Sequence, residues 1–167
     1  MIDKVVFVCT ANTCRSPMAE YMFGAYLKSR GGADNIEVTS CGLSADGISG
    51  IASNTKEVLA MRGISSGGHV SKRYIADSST ATLFVCMTKG HKDRMELIVR
   101  SNCTPLTALD NVVTMGDIAG SDIEDPWGGT LIDYQAIERQ LQNALPLIYD
   151  FVMSKNKKRG KKKADKV

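Results

Sequence analysis

A thiol, five intervening residues, an arginine and a hydroxyl follow one another in Cys9-Thr10-Ala11-Asn12-Thr13-Cys14-Arg15-Ser16. Those residue types at that spacing suit phosphoryl transfer. Five residues between a strand and a helix can curl so that successive backbone N–H groups point inward and form an anion nest. The first turn of the following helix adds unpaired N–H donors and the positive end of its dipole. Arg15 presents a planar fork that matches two phosphate oxygens. Cys9 then lies beneath the anion with its sulfur aimed at phosphorus, and the field that binds phosphate also favours thiolate over thiol. Ser16 is placed to donate a hydrogen bond to that sulfur, stabilising it as nucleophile and as leaving group. Thr10, Ala11, Asn12, Thr13 and Cys14 form the wall of such a cradle. The spacing alone arises often by chance; its position between a first strand and a Ser-Pro helix start gives it weight.

A thiolate that displaces phosphate from a side chain needs an acid for the leaving atom, carried on a loop distant in sequence. Asp125-Pro126-Trp127-Gly128-Gly129 fits. Pro126 stiffens the turn and the glycines leave freedom beyond it. Trp127 offers a flat face for stacking on a planar substrate group. After transfer, the same Asp125 carboxylate can activate the water that hydrolyses a phosphocysteine. Cys14, the second thiol in the cradle, is placed to form a disulfide with an oxidised Cys9 and shield it from further oxidation. Cys41, Cys86 and Cys103 are expected to pack.

The elements that must hold these groups alternate. Val5 to Cys9 is a continuous apolar run of strand length, as in a buried parallel strand. Ser16-Pro17 reads as an N-cap followed by Pro at the first helical position, and Gly31-Gly32 ends that helix. A second strand is expected over Ile36 to Ser40, and a helix over Asn54 to Met61 that stops at Gly63. Leu83 to Met87 reads as a third strand, followed by a helix over His91 to Val99. The stretch Leu106 to Leu109 reads as a fourth strand. The last helix runs from about Leu131 to Met153, with Tyr134, Ile137, Leu141, Leu145, Ile148 and Val152 on one face. Strands alternating with helices build right-handed βαβ units and a parallel sheet covered on both faces. Ligands bind beyond the carboxyl ends of such strands, which again points to Cys9 to Ser16.

The bulk of the chain agrees. Its 167 residues fit one domain, large enough to bury a core without disulfide or metal. No apolar run is long enough for a membrane helix, and the N-terminal residues read as a strand rather than a signal peptide. Five cysteines is an odd, sparse count, so reduced thiols in the cytoplasm are expected. Two histidines without ligand spacing leave a metal no site, and no cofactor is expected. Residues 154–167 hold eight Lys or Arg against one Asp, a net of +7 within a chain total of +3, so the preceding 153 residues carry −4. The expectation is a single domain over 1–153 and a basic, disordered tail over 154–167, a candidate contact for anionic surfaces.

Val6 to Glu20, with Asp125-Pro126-Trp127-Gly128, resembles the low-molecular-weight protein tyrosine phosphatase family, over about residues 4 to 153. The resemblance implies a three-layer α/β/α fold with a four-stranded parallel sheet and the phosphate loop after the first strand. It implies that Cys9 is the nucleophile, Arg15 the phosphate clamp, Ser16 the thiolate partner and Asp125 the general acid. It also implies that Asn12, Ser40 and His69 form a hydrogen-bond network shaping the loop; His69 taken by itself is an ordinary histidine. Phosphorylated proteins are the implied partners. Thr13 with Cys14 and the Gly-rich acid loop resembles a bacterial branch that acts on phosphoarginine, which favours that substrate over phosphotyrosine. Where the family often has Ser-Ala-Gly and a Pro, this chain has Ser40-Cys41-Gly42 and Ile51. The animal enzymes carry two tyrosines where Trp127-Gly128 stand. Two other readings compete: a thiol-dependent arsenate reductase on the same scaffold, and a phosphoprotein-binding module without catalysis. The first would want a close cysteine pair, which Cys86 and Cys103 are not; the second would be expected to lose Cys9 or Asp125.

Overall fold

The protein is described here from a computed structural model that covers residues 1–31, 35–74, 81–102 and 106–164. The strands are β1 (Lys4–Cys9), β2 (Glu37–Gly42), β3 (Thr82–Cys86) and β4 (Val112–Thr114). All pair in parallel, in the order β2-β1-β3-β4. The helices are α1 (Arg15–Ser29), α2 (Ser53–Met61), α3 (Lys89–Ser101), the short α4 (Met115–Ala119) and α5 (Leu131–Ala164). From β1 the chain turns one way to β2, and from β2 it crosses to β3 on the other side of β1. The ends of β1 and β3 therefore flank the switch point at which open α/β sheets bind ligands.

The apolar run of β1 is continuous because both faces of the sheet are covered. Val5, Phe7 and Cys9 face one core with Met18, Phe23, Leu59, Leu141 and Ile148 from α1, α2 and α5. Val6 and Val8 face a second core with Phe84, Met95 and Val99. Each fully buried Val, Leu or Phe contributes roughly 1.5–3 kcal/mol, so the strand that carries Cys9 is held firmly from both sides.

Two expected elements differ. The fourth strand is Val112–Thr114, and Leu106–Asn111 is a 3-10 turn. The three residues of β4 are β-branched and buried, which suits a pleated position between two covered faces. The apolar face predicts that the last helix ends near Met153, whereas α5 continues to Ala164. Lys and Arg are good helix formers and their charge suits a helix C-terminus. Within that continuation, Asn156 clips the chain's start: its Nδ2 donates to the Ile2 carbonyl at 3.1 Å, and its Oδ1 accepts from the Ile2 N–H.

Gly42 ends β2 directly opposite Cys9. A Cβ there would lie 2.5 Å from the Thr10 carbonyl oxygen and 2.9 Å from the Asn12 nitrogen. Both are backbone atoms of the loop, so neither can swing aside. Gly42→Ala should destabilise the fold by about 1–3 kcal/mol, as overpacking does, and should cut activity at full folding by displacing the loop. Urea titration alongside kcat/KM checks this; an alanine variant with wild-type turnover would show that the loop tolerates the shift.

Candidate active site

The loop after β1 is organised by Asn12. Its backbone is left-handed, with φ of 60°, a conformation that Asn tolerates better than most residues. That conformation turns the Asn12 N–H onto the Cys9 sulfur, at 3.3 Å. The fully buried Asn12 amide then ties three segments together. Its Nδ2 donates to Ser16 Oγ at 2.9 Å and to Ser40 Oγ at 2.7 Å, and its Oδ1 accepts from the Lys72 N–H at 2.8 Å. His69 Nε2 lies 2.9 Å from the Asn12 carbonyl oxygen, and Ser40 Oγ donates onward to the Glu20 carboxylate. Asn12, Ser40 and His69 are thus brought together around the loop.

Ser16 Oγ is 2.9 Å from Cys9 Sγ and 3.3 Å from the Cys41 carbonyl oxygen. Ser16 is not the N-cap that the Ser-Pro pair suggests. The helix begins at Arg15 with Cys14 as N-cap and no side-chain capping bond. Pro17 still fits, because first-turn N–H groups lack intrahelical partners and nothing is lost where one is missing. The Ser16 hydroxyl thereby turns to the sulfur and the Cys41 carbonyl rather than to a first-turn N–H. Arg15 is buried; its Nη1 donates to the Ile123 carbonyl at 3.1 Å and its Nη2 to Asp125 Oδ2 at 2.9 Å. Asp125 is half exposed at 51%, with its other oxygen accepting the Trp127 N–H at 3.2 Å. The clamp candidate and the acid candidate therefore meet across the site.

Of the remaining wall residues, Thr10 and Ala11 are exposed at the mouth, and Thr13 is half buried with its carbonyl accepting from the Ala52 N–H at 2.9 Å. Cys14 is buried, its sulfur 3.4 Å from the Tyr134 hydroxyl and 3.6 Å from Thr13 Oγ1. Trp127 is 83% exposed beside an open groove of about 300 Å³ shared with Pro126 and Ile137. Cys41 and Cys86 are packed within the second core, where burial pushes the Cys41 thiol up to about 12 and raises Cys86 as well. Both stay protonated and unreactive. Cys103 lies outside the described residues.

Two participants escape a reading of sequence alone. The Asp46 carboxylate accepts from the Ile48 and Ser49 N–H groups and from the Ser71 hydroxyl, joining the 44–50 loop to the segment that carries His69 and Lys72. The Ser49 hydroxyl, which also donates to it, and then these bonds hold its pKa well below the usual carboxylate range. His91, in the first turn of α3, is buried with Nε2 2.9 Å from Thr10 Oγ1 and Nδ1 2.9 Å from Thr88 Oγ1. A signal existed: Thr88 follows a buried strand run as an N-cap, with His91 three residues on. Burial first, then the positive charges of Arg15 and Arg94, lower His91 from 6.5 to about 4. The unfolded chain thus binds an extra proton between those values, so this contribution to stability is complete above about pH 6.5 and is lost on acidification toward 4. His91→Gln should flatten that loss by on the order of 2 kcal/mol, measured as urea stability at pH 7 and pH 4.5. Identical pH slopes for the two proteins would show that His91 titrates normally.

Residues 4–159 match the family model for low molecular weight phosphotyrosine protein phosphatases. A protein-arginine-phosphatase of Geobacillus stearothermophilus is 32% identical over 142 residues, covering 85% of this chain and 90% of that protein. The low molecular weight protein-tyrosine phosphatase A of Mycobacterium bovis is 30% identical over 149 residues, covering 89% and 90%. A solved structure of a YwlE arginine phosphatase mutant, bearing a phosphorylated active-site serine, superposes with a TM-score of 0.76 at 30% identity, covering 90% of this chain and 95% of that one. With a four-stranded parallel sheet, a phosphate loop after β1 and this extent of match, the chain belongs to the low-molecular-weight protein tyrosine phosphatase family.

Proposed function

We propose that this protein hydrolyses phosphorylated protein side chains through a phosphocysteine on Cys9. One observation carries the reading: the Cys9 sulfur sits at the floor of a loop, between the Asn12 N–H and the Ser16 hydroxyl, with the Arg15–Asp125 pair across the same site. Substrate phosphate takes up the Arg15 fork and the inward N–H groups of the loop. Thiolate attacks phosphorus, the bond from phosphorus to the side-chain nitrogen or oxygen breaks, and Asp125 gives its proton to the leaving atom. Water then attacks the phosphocysteine, Asp125 takes a proton from it, and inorganic phosphate leaves as Cys9 regains its thiolate. Ser16 stabilises that thiolate at both ends of the cycle. Asn12, Ser40 and His69 hold the loop in shape; Cys14 is the resolving thiol for an oxidised Cys9.

Relatives named for tyrosine and for arginine phosphatase activity both lie near this chain, so the choice of side chain falls to the loop. Thr13 supplies a hydroxyl and a β-branched wall inside the cradle, and its backbone is fixed to the start of α2. A hydroxyl there can hydrogen-bond near an N–P linkage and a branched wall narrows the pocket. Phosphoarginine is therefore favoured over phosphotyrosine, with Trp127 stacking on either from the rim. A reductase would need a second reactive thiol; Cys86, fully buried with a raised pKa, is unsuited to that part. The catalytic unit is a single domain with a basic C-terminal segment, which we assign on its charge to contacts with anionic surfaces. Among the described residues no helix is long and apolar enough to cross a membrane. The free thiols of Cys9, Cys14, Cys41 and Cys86 suit a reducing cytoplasm.

The test is kcat/KM on phosphoarginine and phosphotyrosine in parallel, for wild type, Thr13→Ile, Asp125→Asn and Cys9→Ser. Wild type should prefer phosphoarginine, and Thr13→Ile should shift preference toward phosphotyrosine by roughly tenfold or more. Asp125→Asn should lose about 10²- to 10⁴-fold, and Cys9→Ser all turnover. Good cleavage of phosphotyrosine with almost none of phosphoarginine would overturn the role of Thr13 alone. Wild type no better than Cys9→Ser on both substrates would overturn the phosphatase assignment.

A further inference from the structure

Building on that reading, we propose that His91 positions the phosphate loop from the far side of the switch point and makes the Thr10 hydroxyl a hydrogen-bond donor to the phosphoryl group. Thr10 is the first residue after the nucleophile, and its carbonyl accepts the Ser44 N–H at 2.9 Å, so its backbone is fixed. Its side chain lies at the exposed mouth of the cradle, with Oγ1 2.9 Å from His91 Nε2. His91 comes from α3, which follows β3, the strand on the other side of β1 from β2. The contact therefore bridges the two strand ends that flank the ligand crevice.

The neutral ring carries one donor and one acceptor nitrogen, so of its two hydroxyl partners one accepts from it and the other donates to it. Thr88 Oγ1 already accepts the backbone N–H of His91 at 3.4 Å. In the proposed arrangement its own hydrogen goes to His91 Nδ1, 2.9 Å away. Nε2 then carries the proton and donates it to Thr10 Oγ1. The Thr10 hydrogen is left to point into the mouth, and each bond in the chain polarises the next. The charges bearing on the ring are Arg15 and Arg94, which disfavour a second proton, and Asp125 and Asp122, which favour one; burial and the arginines prevail. A protonated ring would leave Nδ1 with no lone pair for Thr88 and would turn that one bond around, while Nε2 still donates to Thr10. His91 touches Thr10 and not the substrate, so it is a positioning residue; Thr10 is the group that meets the anion.

A double-mutant cycle on Thr10→Val and His91→Gln tests this, with His91→Ala as a third variant. Gln retains an amide donor near the Nε2 position; Ala retains none. Two readouts are needed: kcat/KM on phosphoarginine and phosphotyrosine, and the Kd for inorganic phosphate by calorimetry. Thr10→Val and His91→Ala should each lose about tenfold or more, as expected for one hydrogen bond to a charged group. Gln should recover most of the His91→Ala loss. Either double variant should be no worse than Thr10→Val alone, because both changes remove the same donor. ¹⁵N imidazole spectra of the wild type should place the proton of His91 on Nε2. Losses that multiply in the double variant, a Thr10→Val enzyme with wild-type constants, or a proton on Nδ1 would each overturn the proposal. Should His91→Ala fail to fold, Thr10→Val and His91→Gln complete the cycle. Phosphate affinity separates this proposal from the parent one: a wild type without turnover that binds phosphate through coupled Thr10 and His91 keeps the positioning role and sinks only the chemistry.

Discussion

The structure depends on one residue held in an uncommon conformation. Asn12 accepts a left-handed backbone, which L-residues other than glycine enter at some cost, and it is overdetermined there by four bonds to three segments. A buried amide with its donors and acceptor engaged is stable; the same amide with one partner missing leaves an orphan that costs about 1–3 kcal/mol. Ser16, Ser40, His69 and the Lys72 N–H are therefore conditions on one another. Together they fix the Asn12 N–H that faces the Cys9 sulfur. The catalytic sulfur is placed by a network that mostly does not touch it.

Electrostatics divides the cysteines by location rather than by type. Cys9 ends a strand at the loop, where its sulfur meets the Asn12 N–H and the Ser16 hydroxyl. Cys41 and Cys86, a strand away, sit among valines and phenylalanine, where desolvation dominates and the thiol keeps its proton. One sheet thus carries a reactive sulfur and two inert ones within a few residues of each other in register, since Val8 pairs with both Cys41 and Cys86.

Much of this was legible before any coordinates. Continuous apolar runs marked β1 and β3 because both sheet faces are covered, and the Cys9 to Ser16 spacing marked the loop because strand, cradle and helix must follow one another in that order. The fourth strand was misplaced by a few residues: three buried residues give no usable period, and the neighbouring Leu106 to Leu109 was the more obvious apolar stretch. Ser-Pro is a strong local signal for a cap at Ser16, and the sulfur that competes for its hydroxyl is visible only in three dimensions. Asp46 was invisible for the same reason, and the N-cap at Thr88 marks the place of His91 without revealing its bond to Thr10. The continuation of α5 was obscured by charge, which argues against a core but not against a helix.

The hydrogen bonds that shape the site span long stretches of chain: 28 residues from Asn12 to Ser40, 57 to His69, 60 to Lys72, and 110 from Arg15 to Asp125. Long closures of this kind form late, since loop entropy must be overcome before they return anything. A chain emerging from the ribosome carries Cys9 from the start, yet cannot shape the cradle until His69 has been made, nor bring in the carboxylate until Asp125 follows. The cradle and the carboxylate opposite it are thus completed only after Asp125 is made, more than a hundred residues after Cys9.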